Sequence, residues 1–427
     1  MRTSVYKNIT NPTQFKAQLL TWSQQFSEIV VLDSNQYQQK YSNYDCVLAV
    51  DAFTSIKTDD HNAFEDLKQY QQTTKDWLFG YLSYDLKNNV EDLHSNNFDG
   101  LNFPDLYFFQ PKKLFLLKEN QLEMLYLRLC DDEIDADFEE IIQCSVNSVP
   151  FSEIKIEQRI SKENYLKKVA AMMEHIHHGN IYEANFCMEF FAENATVNPL
   201  AIYQKLNAIS VPPFAVYFKN NFNYLLCASP ERYIKKQDTK VITQPIKGTS
   251  KRFLDFDLDE HSKTALSNNP KERSENIMIV DLVRNDLSHT ATKGSVNVEE
   301  LCGIYSFKQV HQMISTIVSE VENTTSPIEI LRTTFPMGSM TGAPKISAMK
   351  IIEALEETKR GLYSGAIGYF KPNGDFDFNV VIRSILYNSA TNYVSFSVGS
   401  AITSMSIPEQ EYEECLLKAK AMFEVLS

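Results

Sequence analysis

Residues 214–236 read FAVYFKNNFNYLLCASPERYIKK. Three runs of strand length lie here, at 214–218, 224–228 and 232–236. The connections between them are far too short for a helical crossover, so the runs pair as an antiparallel meander. A chain that builds its sheet this way, with helices in separate blocks, belongs to the α+β class.

Working towards the N-terminus, apolar or aromatic strand signals recur at 28–32 (EIVVL), 46–50 (CVLAV), 77–83 (WLFGYLS), 106–109, 114–117 and 122–129. Residues 88–99 are polar and read as a loop. The acidic stretch 131–137 and the segment 147–150 bracket a short helix at 138–143. A strand-rich region at 1–150 therefore precedes a second region at 155–427.

Towards the C-terminus, SKENYLKKVAAMMEHIHHGN begins a helix near Ser161. Tyr165, Val169, Met172, Met173 and Ile176 recur at helical spacing, and Gly179 ends it. His175, His177 and His178 do not share one helix face, so they read as a polar helix end rather than a metal cluster. Further helices are expected at 271–287, 327–334, 344–356 and 408–426. Extended segments are expected at 185–191, 295–301, 306–318, 365–370, 376–387 and 393–398.

The chain has 427 residues and a formal net charge of -14. That balance argues against a nucleic-acid partner, though a local lysine, arginine or metal ion can still receive an anion. No apolar run is long enough to span a membrane, and the first residues lack a signal-peptide core. Seven scattered cysteines without a C-x-x-C pair suit the reduced thiols of a cytoplasm.

Four local patterns carry chemistry. In QPIKGTSKR (244–252), Lys247 follows a short strand signal and sits beside Gly248 in a turn. In a dry cavity its pKa would fall, leaving a nucleophilic amine; in water it is an ordinary turn lysine. Two helices each carry glutamates one turn apart, Glu272 with Glu275 and Glu411 with Glu414. Bordering apolar stripes, such carboxylates suit a hard divalent cation; they equally suit solvated acidic helix starts. GSMTGAPK (338–345) is a loop opening a helix, and its N–H groups with the Ser339 and Thr341 hydroxyls can cradle an anion. It lacks P-loop spacing. His311 lies in an amphipathic extended stretch, where a hydrogen-bonded core histidine is the ordinary reading and catalysis the alternative.

Taken together, SPER (229–232), PIKGTSKR (245–252), KERSENIMIVDLVRND (271–286), VHQMIS (310–315), TFPMGSMTGAPKISAMKIIEALE (334–356), GLYSGAIGYF (361–370), VIRS (381–384) and PEQEYEECLLKA (408–419) resemble the successive signatures of the chorismate-utilising enzymes. That family includes the large subunits of anthranilate and aminodeoxychorismate synthases, and the isochorismate and salicylate synthases. The match runs from about residue 160 to the end. VLDS (31–34) and FGYLSYDL (79–86) resemble the N-terminal part of the amino-transferring members.

The resemblance implies a large two-lobed β-sandwich with helices outside, and chorismate as substrate. It implies Mg²⁺ held by Glu275 and Glu414, with Glu272 and Glu411 in its outer shell. Arg383, Tyr363 and the backbone near Gly399 would grip the enolpyruvyl carboxylate. Thr249, Thr341, Gly342 and Ala401 would line the pocket. Glu231 and His311 would be the general acid/base pair. At the lysine position anthranilate synthases read PIAGT, whereas aminodeoxychorismate synthases read PIKGT. Lys247 would thus add to ring carbon 2 as the 4-hydroxyl leaves, before ammonia enters at carbon 4. That is the large-subunit (component I) activity of 4-aminobenzoate and folate biosynthesis. The alternatives are anthranilate synthesis, isochorismate or salicylate synthesis with water, and a silent scaffold homologue. No G-x-C-x-G elbow is present, so ammonia is expected from a separate glutamine amidotransferase subunit, and a separate lyase would release pyruvate. Three positions depart from the family pattern. Ala401 replaces a usual glycine, Glu183 stands where the amino-transferring members usually have glutamine, and VLDSN only partly resembles the tryptophan-pocket motif.

Overall fold

The computed structural model describes residues 2–37, 40–146, 154–308 and 310–426. Among these, twenty strands join into one continuous hydrogen-bonded system in which every strand pairing is antiparallel. Eleven helices pack around it, so the α+β expectation holds.

The apolar runs are explained by burial on both strand faces. In Glu28–Asp33, Ile29 and Val31 enter one core while Val30 enters the other. In Cys46–Thr58, Cys46, Leu48 and Val50 enter the first core, and Val47 and Ala49 the second. Side chains alternate across a strand, so a strand covered on both faces is apolar throughout.

Strands from both ends of the chain pair directly. Glu28–Asp33 pairs with Phe214–Asn220, and Leu78–Leu82 pairs with Ala366–Phe370. The expected segment at 147–150, and with it most of the expected boundary, lies outside the described residues. The meander of residues 214–236 forms as Phe214–Asn220, Asn223–Ser229 and Arg232–Gln237. Its first two strands pair with each other, but the third pairs with Lys240–Gln244 and Phe376–Val380 instead of the second.

Three segments differ from the sequence reading. The signals at 106–109 and 114–117 form one strand, Leu106–Lys118, continuous through Pro111 because the partner strand shifts register between Ala52 and Thr54. The stretch 376–387 is broken in two, Phe376–Val380 and Ser384–Asn388, with Arg383 between them at φ +49°. Lys247 is not in a turn. It lies in the strand Ile246–Lys251, where a bulge between Ile246 and Thr249 centres on Gly248 at φ +92°.

Candidate active site

The strand Glu183–Ala192 is the spine of the site. Three of its residues meet residues singled out by sequence. Ala184 pairs with Gly342 across the sheet. Asn185 pairs with Ala401, and its backbone N–H donates to the Thr341 carbonyl at 2.7 Å. Cys187 pairs with Gly399, and its thiol also borders the Tyr363 side chain. The Gly399 carbonyl accepts from Lys418 Nζ at 2.9 Å, and Lys418 also pairs with Glu414 Oε1 at 2.7 Å.

Glu183 reaches Lys247. Lys247 Nζ donates to Glu183 Oε1 at 2.9 Å, with the two side chains 12% and 2% exposed. Lys247 is oriented from behind by buried Asn276, whose Nδ2 donates to the carbonyls of Met313 at 3.3 Å and Lys247 at 3.5 Å. A fall in the Lys247 pKa is not what these surroundings produce. Burial pushes it down, but the charge and hydrogen bond of Glu183, with the charges of Glu275 and Glu231, outweigh burial and raise it above the ordinary lysine value.

Glu231 lies between two strands, and its carbonyl accepts from Val380 N–H at 3.0 Å. Burial pushes its carboxyl up to about 7, against the Ser339 hydroxyl, Lys247, the Ile246 backbone and Arg383. Arg383 forms no ion pair or side-chain hydrogen bond with any described residue. Burial lowers its pKa, and the charge of Glu231 acts in the opposite sense. A desolvated guanidinium with no hydrogen-bonded carboxylate has the chemistry to take one.

The four helix glutamates divide. Glu272 and Glu275 lie on Pro270–Ser288, which starts at the Asn269 cap, while Glu411 and Glu414 lie on Pro408–Leu426. Lys271 Nζ stands between the helices, 3.8 Å from Glu275 Oε1 and 3.7 Å from Glu411 Oε1. Among the described residues no three His, Cys, Asp or Glu side chains converge closely enough to hold a metal ion as placed. The donors nevertheless suit one. Glu275 Oε1 is buried without a hydrogen-bond partner, and burial pushes the Glu275 carboxyl up to about 7, held down by Lys247 and pushed further by Glu183. Glu272 is raised by burial and then by the charge of Glu414. Glu414 is more exposed and paired with Lys418, so the set offers one buried, unpartnered oxygen and two mutually repelling carboxylates, which fit a hard divalent cation.

His311 is buried, and both ring nitrogens are occupied. Nδ1 is 2.8 Å from Ser306 Oγ and Nε2 is 3.1 Å from Asp259 Oδ1. It is placed as the hydrogen-bonded core histidine. Thr249 is exposed and lies opposite Gln312 in the sheet. The Thr341 hydroxyl is spent locally, 3.2 Å from the Gly338 carbonyl, whereas the buried Ser339 hydroxyl faces the Glu231 carboxyl. Glu183 appeared in the sequence only as a departure. Lys271 and Asp259 gave no signal there, because their partners arrive through the tertiary fold.

A family model described as chorismate binding enzyme matches residues 19–424. The chain belongs to that family. It is 32% identical over 371 residues to an anthranilate synthase component I-like protein of Synechocystis, covering 86% of this chain and 76% of that one. It is 31% identical over 383 residues to aminodeoxychorismate synthase component 1 of Bacillus subtilis, covering 87% and 79%. Anthranilate synthase component I from Streptococcus pneumoniae superposes with a TM-score of 0.80 at 23% identity, covering 91% and 93%, which establishes the shared fold.

Proposed function

We propose that this chain is the large subunit of an aminodeoxychorismate synthase, converting chorismate and ammonia to 4-amino-4-deoxychorismate for 4-aminobenzoate and folate synthesis. Relatives bearing either synthase name match at similar identity, so their names do not choose between the products. The observation that carries the reading is Lys247, largely buried with its amine directed at Glu183. An amine there lets the ring be held at carbon 2 while carbon 4 loses oxygen and gains nitrogen.

Lys247 Nζ supplies the electron pair for the bond to carbon 2. Glu231, with its carboxyl pushed up to about 7, is still partly protonated at neutral pH and donates that proton to the departing 4-hydroxyl. Arg383 receives the enolpyruvyl carboxylate, beside Tyr363 and Gly399. Glu275 and Glu414, backed by Glu272 and Glu411, would hold Mg²⁺, which would supply positive charge for the ring carboxylate. Thr249, Thr341, Gly342 and Ala401 lie along the pocket walls. His311 orients its strand through Asp259 and Ser306. Ammonia comes from a separate glutamine amidotransferase subunit, and the work is done in the cytoplasm. No described helix is long and apolar enough to cross a membrane.

The test is product identity. The purified chain is incubated with chorismate, Mg²⁺ and ammonium, and the products are separated. A 4-amino-4-deoxychorismate peak that an added lyase converts to 4-aminobenzoate supports the reading. Anthranilate, isochorismate, salicylate or no turnover contradicts it.

A further inference from the structure

We infer that Glu183 is the positioning residue of Lys247: its carboxylate holds the amine in place as an ammonium and takes the proton that must leave before Nζ can act as a nucleophile. This rests on the proposed function above, and it names a residue that the family pattern does not supply, since glutamine is usual at this position in the amino-transferring relatives.

The geometry is specific. Lys247 Nζ lies 2.9 Å from Glu183 Oε1, and Glu183 is its one ion-pair partner among the described residues. Glu183 Oε2 is buried with no hydrogen-bond partner, so the carboxylate has an unused oxygen beside the amine. Its backbone is pinned by the pairing of Ala343 with Glu183 and Gly342 with Ala184. The other charged groups acting on the amine are Glu275 and Glu272 on the Pro270–Ser288 helix, Glu414 on the Pro408–Leu426 helix and Glu231 on the strand connection. Glu272 of the same helix lies behind Gly248. Neither Lys247 nor Glu183 hydrogen-bonds or ion-pairs with Glu272, Glu275, Glu411 or Glu414 among the described residues.

The step balances as follows. The Lys247 ammonium gives a proton to Glu183, leaving its lone pair on Nζ. That pair forms the bond to ring carbon 2, the two conjugated ring double bonds each shift one place, and the carbon 4–oxygen bond breaks. The oxygen leaves as water with the proton of Glu231, and the linking nitrogen carries the positive charge. The lone pair of ammonia then forms the carbon 4–nitrogen bond while the carbon 2–nitrogen bond breaks, returning its pair to Nζ. The new ammonium gives a proton to Glu231, and Glu183 returns its own to Lys247.

The test is a lysine-labelled NMR titration of the full chain. The Lys247 Cε resonance is assigned by its loss in Lys247→Arg and followed with pH in the wild type, Glu183→Gln and Glu183→Asp. Loss of one opposite charge at this distance lowers the midpoint by about 1 to 3 pH units in Glu183→Gln. Glu183→Asp, which retains the charge on a shorter arm, keeps its midpoint above that of Glu183→Gln. In Glu183→Gln the amine also loses its proton acceptor, so kcat with ammonium falls, and Glu183→Asp recovers part of it. An unchanged Lys247 midpoint, or an unchanged kcat in Glu183→Gln, overturns the inference. A wild type that makes no 4-amino product sinks the proposed function instead, while the titration still judges the pair.

Discussion

A Cβ placed on Gly342 would lie 2.1 Å from the carbonyl oxygen of Glu183. The obstacle is backbone, so the two strands can come this close only when residue 342 is glycine. Gly342 thereby sets how closely its strand approaches the backbone of Glu183. Gly342→Ala is expected to cost about 1–3 kcal/mol of stability, the range of overpacked cores. It is also expected to lower kcat, because the carboxylate that orients the amine is displaced. Urea unfolding alongside steady-state kinetics checks both effects.

Arg383 is expected to govern substrate capture. A charge-assisted hydrogen bond contributes about 1.5–3 kcal/mol, so Arg383→Ala should raise KM for chorismate by roughly 10- to 100-fold. The change should fall on KM more than on kcat. Initial rates over a wide chorismate range separate the two, and an unchanged KM would remove Arg383 from the carboxylate site.

Stability should fall as pH rises towards neutrality. Burial raises the Glu231 carboxyl from 4.5 to about 7, so the folded chain holds this proton more tightly than the unfolded one. The stabilisation is complete below the unfolded value and is lost as pH climbs through the folded value. Glu231→Gln mimics the protonated form. It should flatten this part of the stability curve and be more stable than the wild type at pH 8, by up to about 3 kcal/mol, while losing activity. Denaturation at several pH values checks the sign.

Mg²⁺ should raise the melting temperature of the wild type, because a bound cation relieves the repulsion among these carboxylates. Glu275→Gln should abolish most of that rise, and a chelator should stop turnover reversibly. Calorimetry with and without Mg²⁺ gives an answer independent of activity.

His311 separates structure from chemistry. Replacing it by alanine leaves Asp259 and Ser306 without their ring partner, at a cost of roughly 1–3 kcal/mol for the lost buried hydrogen bonds. A variant as stable as the wild type but inactive would return His311 to the acid–base role.

Much of this was legible in the sequence, for physical reasons. EIVVL and CVLAV read as strands because both faces are buried. The Ser161 cap and Gly179 stop bound a helix that runs Lys162–His177. Helices at Pro12–Ser23 and Pro199–Ser210 escaped the reading, although each begins with an Asn–Pro pair whose asparagine accepts a backbone hydrogen bond. Their apolar periodicity is weak, and the cap was the only usable signal. Leu106–Lys118 was split in two because Pro111 and its polar neighbours look like a turn, and only the partner's irregular register accommodates them. In the site, the residue types were readable but their pairings were not. Lys247 and Glu183 are 64 positions apart, and no local pattern says that they meet. The fall expected for the Lys247 pKa assumed burial alone, and the carboxylates around it reverse the outcome.

The central claim is that Lys247 bonds to the substrate ring. The most direct measurement is mass spectrometry of the chain incubated with chorismate and Mg²⁺ in the absence of ammonia, followed by acid quench and peptide mapping. The account predicts an adduct with the mass of chorismate less one water, confined to the peptide containing Lys247, absent from Lys247→Ala, and discharged as 4-amino-4-deoxychorismate when ammonium is added before the quench. Production of the 4-amino product by Lys247→Ala at the wild-type rate would contradict it.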